Sequence, residues 1–236
     1  MKEKILVVIP CYNEEKNISN VIDDIQNHIK SADIVVINDC STDKTEEIVT
    51  KKGIVCLKPP FNLKYAKAVQ TGIKYAYEND YDYVVQFDGD GQHLASEVIK
   101  MLDIIQKNKS DIVIGSRFLE KTDYPHPFFR KIGTRAFSVI IKILTKKVLA
   151  DPTSGFQILN KKVIKRYAIN YPEYPDANLI IEMLYEGYII DEISVLMKES
   201  NTGQSMHGGI IKPIKYMIKV FYTIIIIFIR NIFRKR

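Results

Sequence analysis

Two aspartates separated by one glycine, Asp88-Gly89-Asp90, stand where the apolar run Val84-Val85-Gln86-Phe87 stops. Carboxylates at this spacing offer hard oxygen ligands, the kind that Mg2+ or Mn2+ takes while keeping several waters and sharing the rest of its shell with substrate phosphates. An EF-hand calcium loop needs glycine at its sixth position and glutamate at its twelfth, and counting from Asp88 those places hold His93 and Ile99. A plain Asp-Gly turn ahead of the next helix is the alternative for this segment taken alone. A short apolar run that ends in turn residues reads as a buried strand of a parallel sheet. Both aspartates then lie at its carboxyl end, where open α/β sheets bind their ligands.

Two other strand ends carry the same kind of residues. Ile5-Leu6-Val7-Val8-Ile9 is followed by Pro10, which is expected to stop a central strand, and then by Cys11-Tyr12-Asn13-Glu14-Glu15. Ile34-Val35-Val36-Ile37 runs into Asn38-Asp39-Cys40-Ser41-Thr42-Asp43, where Ser41 or Asp43 can cap the following helix. Glu14, Asp39 and the Asp88/Asp90 pair thus share one rim, and like charges repel there unless a cation or hydrogen-bond donors compensate.

The elements that must position these residues follow from periodicity. Ile18, Val21, Ile22, Ile25 and Ile29 form one helical apolar face, Ala66, Val69, Ile73 and Ala76 a second, and Val98, Leu102 and Ile105 a third. Ile54-Val55-Cys56-Leu57 and Ile112-Val113-Ile114 read as further strands. Strand and helix alternate from residue 4 to about 115, which predicts parallel strands joined by right-handed crossovers with helices on both faces. No G-x-G-x-x-G follows the first strand and no Walker A lysine loop occurs, which disfavours hydride-transfer dinucleotide sites and P-loop nucleotide sites.

Pro10-Cys11-Tyr12-Asn13-Glu14-Glu15, Asn38-Asp39-Cys40-Ser41-Thr42-Asp43, Asp88-Gly89-Asp90-Gly91-Gln92-His93, Gly115-Ser116-Arg117 and Asp151-Pro152-Thr153-Ser154-Gly155-Phe156 resemble, in order, the motifs of family 2 glycosyltransferases. Within that family they are most similar to the dolichyl- or polyprenyl-phosphate sugar transferases, over roughly residues 4 to 205. The resemblance implies a glycosyltransferase A-type nucleotide-sugar-binding fold, Rossmann-like, with a mostly parallel sheet and helices on both faces. It also implies an inverting transfer from a UDP- or GDP-linked sugar. Pro10, Tyr12, Glu14, Asp39, Asp88 and Gln92 are then expected on the nucleotide-sugar, and Asp88 and Asp90 on the metal. Asn38 stands where an aspartate is common, Lys64 and Ala66 occupy a stretch usually richer in glycine, and Gln157 follows Phe156 where a basic residue is frequent.

Breaking a sugar-diphosphate bond leaves negative charge on the departing nucleotide, which a metal at Asp90, with Asp88 nearby, would neutralise. In-line attack on the oxocarbenium-like anomeric carbon from the opposite face inverts its configuration. A lipid phosphate acceptor is already anionic and needs cations to place it, for which Arg117, Arg130 and Arg135 are the candidates. A saccharide hydroxyl acceptor, as in surface-polysaccharide assembly, needs a carboxylate base, for which Asp151 is the candidate. A non-catalytic, membrane-bound subunit with the same fold is the third reading.

From Ser200 to Arg236 the chain holds Lys212, Lys215, Lys219, Arg230, Arg234, Lys235 and Arg236 and no acidic residue, so this stretch carries +7 of a formal +6, leaving −1 for the rest. Nucleic-acid binding by the main domain therefore has no support in composition. Lys212, Lys215, Lys219, Thr223, Arg230 and Arg234 share one helical stripe among isoleucine, phenylalanine and tyrosine, a pattern suited to a helix lying in a membrane interface. The uncharged stretch Val220 to Ile229 covers about half of the hydrocarbon core at ~1.5 Å per residue, so lying on the membrane is favoured over crossing it, with a tilted or re-entrant insertion, lengthened by snorkelling of Lys219 and Arg230, as a second reading. Packing into a homo-oligomer or a partner protein is the alternative. The mixed basic and apolar segment Phe128 to Leu149 is a second candidate interfacial helix, with an ordinary amphipathic surface helix as the equal alternative.

Residues 1–205 are accordingly expected to form the catalytic domain and 206–236 a basic, amphipathic membrane-associated tail, with the glycine-containing stretch Gly203 to Gly209, including His207, as a hinge. Cys11, Cys40 and Cys56 are odd in number and point to a reducing compartment. With too few apolar residues before Pro10 for a signal-peptide core, the catalytic domain is expected at the cytoplasmic face, peripheral or monotopic.

Overall fold

The computed structural model describes residues 3–119, 128–173, 175–198 and 211–234, and of 128–131, 211–218 and 234 the backbone alone. The hinge stretch and the boundary at 205/206 lie outside the described residues.

Seven strands form one sheet in the order β3-β2-β1-β4-β6-β5-β7. The strands are β1 (Ile5–Cys11), β2 (Ala32–Asn38), β3 (Val55–Leu57), β4 (Tyr83–Gln86), β5 (Ile112–Ser116), β6 (Gln157–Asn160) and β7 (Ile190–Ser194). All neighbours are parallel except β6, which runs antiparallel between β4 and β5. Alternation along the strands splits the core into two layers. Leu6, Val8, Val35 and Ile37 face one cluster, together with Val69 and Ile73 of α3 (Lys64–Glu78) and Ile164 of α6 (Lys161–Ile169). Val7, Ile9, Ile34 and Val36 face the other, with Ile22 of α1 (Ile18–His28) and Val98 of α4 (Ala95–Asn108). The three helical faces read from periodicity are thus the ones that cover the sheet. α3 approaches closely because Gly72 faces β1: a Cβ there would lie 2.1 Å from Val8 Cγ1.

Pro10 does not stop β1. The strand continues through Pro10↔Ile37 and Cys11↔Asn38 on its β2 side, whereas pairing with β4 ends at Val8↔Gln86. Cys11 O accepts from Asp39 N on the β2 side, so Pro10 faces the side where no partner strand remains and its missing N–H costs no ladder bond.

The antiparallel β6 decides the geometry of the site. Because its first residue, Gln157, pairs with Gln86 at the end of β4 and with Ile114 two residues before the end of β5, the loop of Asp151 to Phe156 falls on the same rim as Asp88 and Arg117. The remaining helices are α2 (Thr45–Lys51), α5 (Phe128–Thr145), α7 (Ala177–Tyr185) and α8 (Ile211–Arg234). α8 lies on α7, with Val220, Ile224 and Ile227 buried in the first core layer. No helix among the described residues is long and apolar enough to cross a membrane.

Candidate active site

The loops after β1 and β2 are tied to each other. Asn13 N donates to Ser41 Oγ (2.9 Å), Glu14 N to Thr45 Oγ1 (2.9 Å) and Glu15 N to Asp43 Oδ2 (3.0 Å), while Thr42 N donates to Asn13 Oδ1 (2.8 Å). Asp43 does meet the following helix, accepting from Thr45 N at 3.0 Å, whereas Ser41 serves the first loop. Tyr12 is left 54 % exposed on this frame, its ring open to a planar ligand. Asp39 is buried, and its two oxygens accept from Leu63 N (2.6 Å) and Lys64 N (2.8 Å), which fixes the start of α3. Asn38 is also buried and donates to Glu46 Oε2 at 3.4 Å, where an aspartate would place a second carboxylate against Glu46.

Asp88 lies just past β4. Its Oδ1 accepts from the Tyr65 hydroxyl at 2.9 Å and its Oδ2 lies 3.6 Å from His93 Nε2. Asp90 Oδ1 accepts from Gln92 N at 3.0 Å, and Gln92 O accepts from Lys198 N at 2.8 Å, so the turn is held from both sides. The glycine between the aspartates is required sterically, since a Cβ on Gly89 would sit 2.6 Å from Cys11 Sγ.

Burial raises the Asp88 carboxyl above its ordinary range, against the Tyr65 bond and the Arg117 charge. Burial also raises Glu14, with Asn17 opposing through a hydrogen bond and the charges of Asp90, Asp43 and Asp88 adding to the rise. Clustered carboxylates that repel one another are a setting in which an oxygen-seeking cation fits. Among the described residues no three His, Cys, Asp or Glu side chains group closely enough to hold a metal unaided. A cation on Asp88 and Asp90 would therefore complete its shell from diphosphate and water, as Mg2+ and Mn2+ commonly do.

The third part of the rim is a buried ion pair. Arg117, after β5, donates from Nε to Asp151 Oδ2 (2.7 Å) and from Nη2 to Asp151 Oδ1 (3.0 Å). Asp151 is fully buried, and its oxygens also accept from Arg117 N (3.3 Å) and Thr153 Oγ1 (3.2 Å). It is therefore saturated, and its visible task is to hold the guanidinium. Glu192 of β7 fixes Asp151 in turn, accepting from Ala150 N (2.7 Å) and Asp151 N (2.5 Å). Of the other two arginines, Arg135 is exposed on α5, one residue from Thr134, whose hydroxyl lies 3.4 Å from Thr153 Oγ1. The Arg130 side chain lies outside the described residues.

The structure thus brings Glu14, Asp88, Asp90, Arg117 and Asp151 to one rim, with Pro10 near the end of β1 and Tyr12, Asp39 and Gln92 on the loops beside them. Tyr65, His93 and Glu192 are additions that sequence reading did not supply. Tyr65 and Glu192 sit inside ordinary helix and strand patterns, and His93, although within the Asp88 motif, had no assigned role. Phe87, His93 and Phe156 form an aromatic cluster, with His93 stacked on Phe156 at 4.4 Å between centroids and 14° between planes and Phe87 edge-on to both. That cluster joins the Asp88 loop to the Asp151 loop.

The family model described as Glycosyl transferase family 2 matches residues 6–168. A UDP-N-acetylglucosamine–dolichyl-phosphate N-acetylglucosaminyltransferase of Methanococcus voltae is 30 % identical over 184 residues, covering 70 % of this chain and 73 % of that one. A dolichol-phosphate mannosyltransferase of Pyrococcus furiosus is 31 % identical over 193 residues, covering 78 % of this chain and about half, 53 %, of that one. Among solved structures, glucosyl-3-phosphoglycerate synthase of Mycobacterium tuberculosis, crystallised with Mn2+, UDP and glucosyl-3-phosphoglycerate, superposes with a TM-score of 0.69 at 17 % identity. The match covers 95 % of this chain and 80 % of that one, a likeness of fold.

Proposed function

The chain belongs to glycosyl transferase family 2, and from that premise we propose that it moves a sugar, with inversion, from a nucleotide-diphospho-sugar to a polyprenyl phosphate at the cytoplasmic membrane face. The donor nucleotide would lie along Pro10, Tyr12, Glu14 and Asp39, with the exposed Tyr12 ring against its base and Gln92 at the diphosphate. A divalent cation, Mg2+ or Mn2+, held by Asp88 and Asp90 would neutralise charge on the departing diphosphate.

The observation that carries the choice of acceptor is the state of Asp151. A general base must meet the proton it takes, yet Asp151 is fully buried and already accepts four hydrogen bonds. An orienting partner for Arg117 needs just this arrangement, and a guanidinium fixed in orientation suits a phosphate that requires no deprotonation. Arg135 and Arg130 on α5 are proposed as outer contacts to the same phosphate.

The membrane placement rests on α8. Its Val220, Ile224 and Ile227 face the body, and Phe221, Tyr222, Ile225, Phe228, Ile232 and Phe233 are exposed on the outside. An apolar helix surface of this kind, in a tail with no acidic residue, suits the headgroup boundary of an anionic bilayer. Its basic stripe is not wholly turned to headgroups, since Arg230 pairs with Glu182 of α7.

Thermal unfolding of the chain with UDP, GDP and their sugar conjugates, with and without Mn2+, tests the donor half of this reading. A cation-dependent rise in melting temperature for one nucleotide, absent in Asp90→Ala, is expected. Folded protein that no nucleotide stabilises would overturn it.

A further inference from the structure

Tyr65 occupies the second position of α3 and is aimed at the rim by the turn before it. Asp39 takes the Leu63 and Lys64 N–H groups, and Lys64 adopts a left-handed backbone with φ 63°. The first turn of α3 then delivers the Tyr65 hydroxyl to Asp88 Oδ1 at 2.9 Å.

The other side of the Asp88 carboxylate meets His93. His93 Nδ1 accepts from Asp88 N at 3.1 Å, which puts the proton of the neutral ring on Nε2, 3.6 Å from Asp88 Oδ2. One oxygen is therefore held by a phenol, and the other faces an imidazole N–H. Beyond the phenol lies Gly155 of the Asp151 loop, where a Cβ would stand 2.6 Å from the Tyr65 hydroxyl and 3.7 Å from the ring carbon that bears it. The hydroxyl is wedged between the loop with the paired aspartates and the loop that orients Arg117.

We propose that Tyr65 is the positioning residue for Asp88. Its hydroxyl sets the orientation of that carboxylate before a cation arrives and, by filling the space that Gly155 leaves open, keeps the two loops in fixed register. This rests on the reading of Asp88 and Asp90 as metal ligands. Partners that orient a metal ligand commonly change metal affinity by roughly 10- to 100-fold when removed, without themselves touching the metal.

The test titrates Mn2+ alone against the full chain, following free Mn2+ by its electron paramagnetic resonance signal. Tyr65→Phe keeps the ring and removes the hydroxyl; it is expected to bind Mn2+ about tenfold more weakly and, with one hydrogen bond to a buried carboxylate lost, to melt only a few degrees lower. Gly155→Ala, which pushes the hydroxyl away, is expected to weaken binding similarly, and adding it to Tyr65→Phe should bring little further loss. In turnover, Tyr65→Phe should raise the Mn2+ concentration for half-activation and leave kcat at saturating Mn2+ near the wild-type value. Wild-type affinity in Tyr65→Phe would overturn the proposal while leaving the metal site standing. A wild-type chain that binds no Mn2+ would overturn both.

Discussion

Replacing Asp151 with asparagine separates the two acceptor chemistries. An asparagine keeps one oxygen and sets an amide NH2 against the guanidinium, so one of the two Arg117 fork bonds, 2.7 Å and 3.0 Å in the native site, is lost. Breaking a buried ion pair costs about 3–5 kcal/mol, and the 13 % exposure of Arg117 and the surviving bond place the expectation near the lower end, about 3 kcal/mol. At about 2–4 °C per kcal/mol for a chain of this size, the variant should melt about 6–12 °C lower. If Arg117 binds the acceptor phosphate, loosening its fork should raise acceptor KM and cost about 10- to 100-fold in kcat/KM, with kcat itself falling less than about tenfold. Steady-state kinetics with varied acceptor, polyprenyl phosphate in one series and a saccharide in another, run well below the lowered midpoint, give both numbers. If Asp151 is instead the base, acceptor KM stays native and kcat drops by about 10²–10⁴. That second pattern would refute the reasoning.

Gly89→Ala drives a methyl group to 2.6 Å from Cys11 Sγ and should cost about 1–3 kcal/mol in urea unfolding; Cys11→Ala in the same chain should restore most of it. Lys64→Gly places glycine at φ 63° and should stabilise the fold by about 1 kcal/mol, read as a rise in urea midpoint at unchanged slope. His93 is held down at about 4 by burial, which outweighs the Asp90 charge raising it, with Arg117 pushing the same way as burial. A group whose folded pKa is depressed stabilises fully above its unfolded pKa, 6.5 here, and loses that contribution as pH falls towards about 4. Roughly 3 kcal/mol should therefore disappear across that window, and the urea midpoint of His93→Gln should depend less on pH there.

Much of the rim was legible because β1, β2, β4 and β5 are short, mostly apolar runs that end abruptly in polar residues, the pattern a parallel strand buried on both faces produces. The antiparallel β6 was not legible, since Gln157–Asn160 is four residues long and carries neither a period nor flanking repeats. Its antiparallel direction is nonetheless what brings Asp151 to Arg117. β7 escaped for a related reason: Ile190–Ser194 is a partly exposed edge strand with two acids in five residues. Pro10 misled because the rule against proline in a central strand holds only where partners remain on both sides. The stretch around Lys64 was marked by its departure from a glycine-rich pattern, and the backbone explains it: Lys64 carries the positive φ that glycine would take without strain. Tyr65 reaches 23 residues along the chain to Asp88 and Glu192 reaches 41 to Asp151, distances over which no local spacing carries information. In the tail, charge patterning suggested a basic stripe, of which Lys212, Lys215 and Arg234 lie outside the residues whose side chains are described, while the docking on α7, where Arg230 meets Glu182, depends on contacts that only the folded body creates.

The most direct test supplies the purified chain with a labelled nucleotide-sugar, Mn2+, polyprenyl phosphate in anionic vesicles and a soluble saccharide acceptor, and measures label recovered in the organic-extractable lipid phosphate and in the saccharide. Cation-dependent label in that fraction, of inverted anomeric configuration and absent in Asp90→Ala, is the predicted result. Label passing only to a saccharide hydroxyl, or equal transfer by Asp90→Ala, would contradict the account.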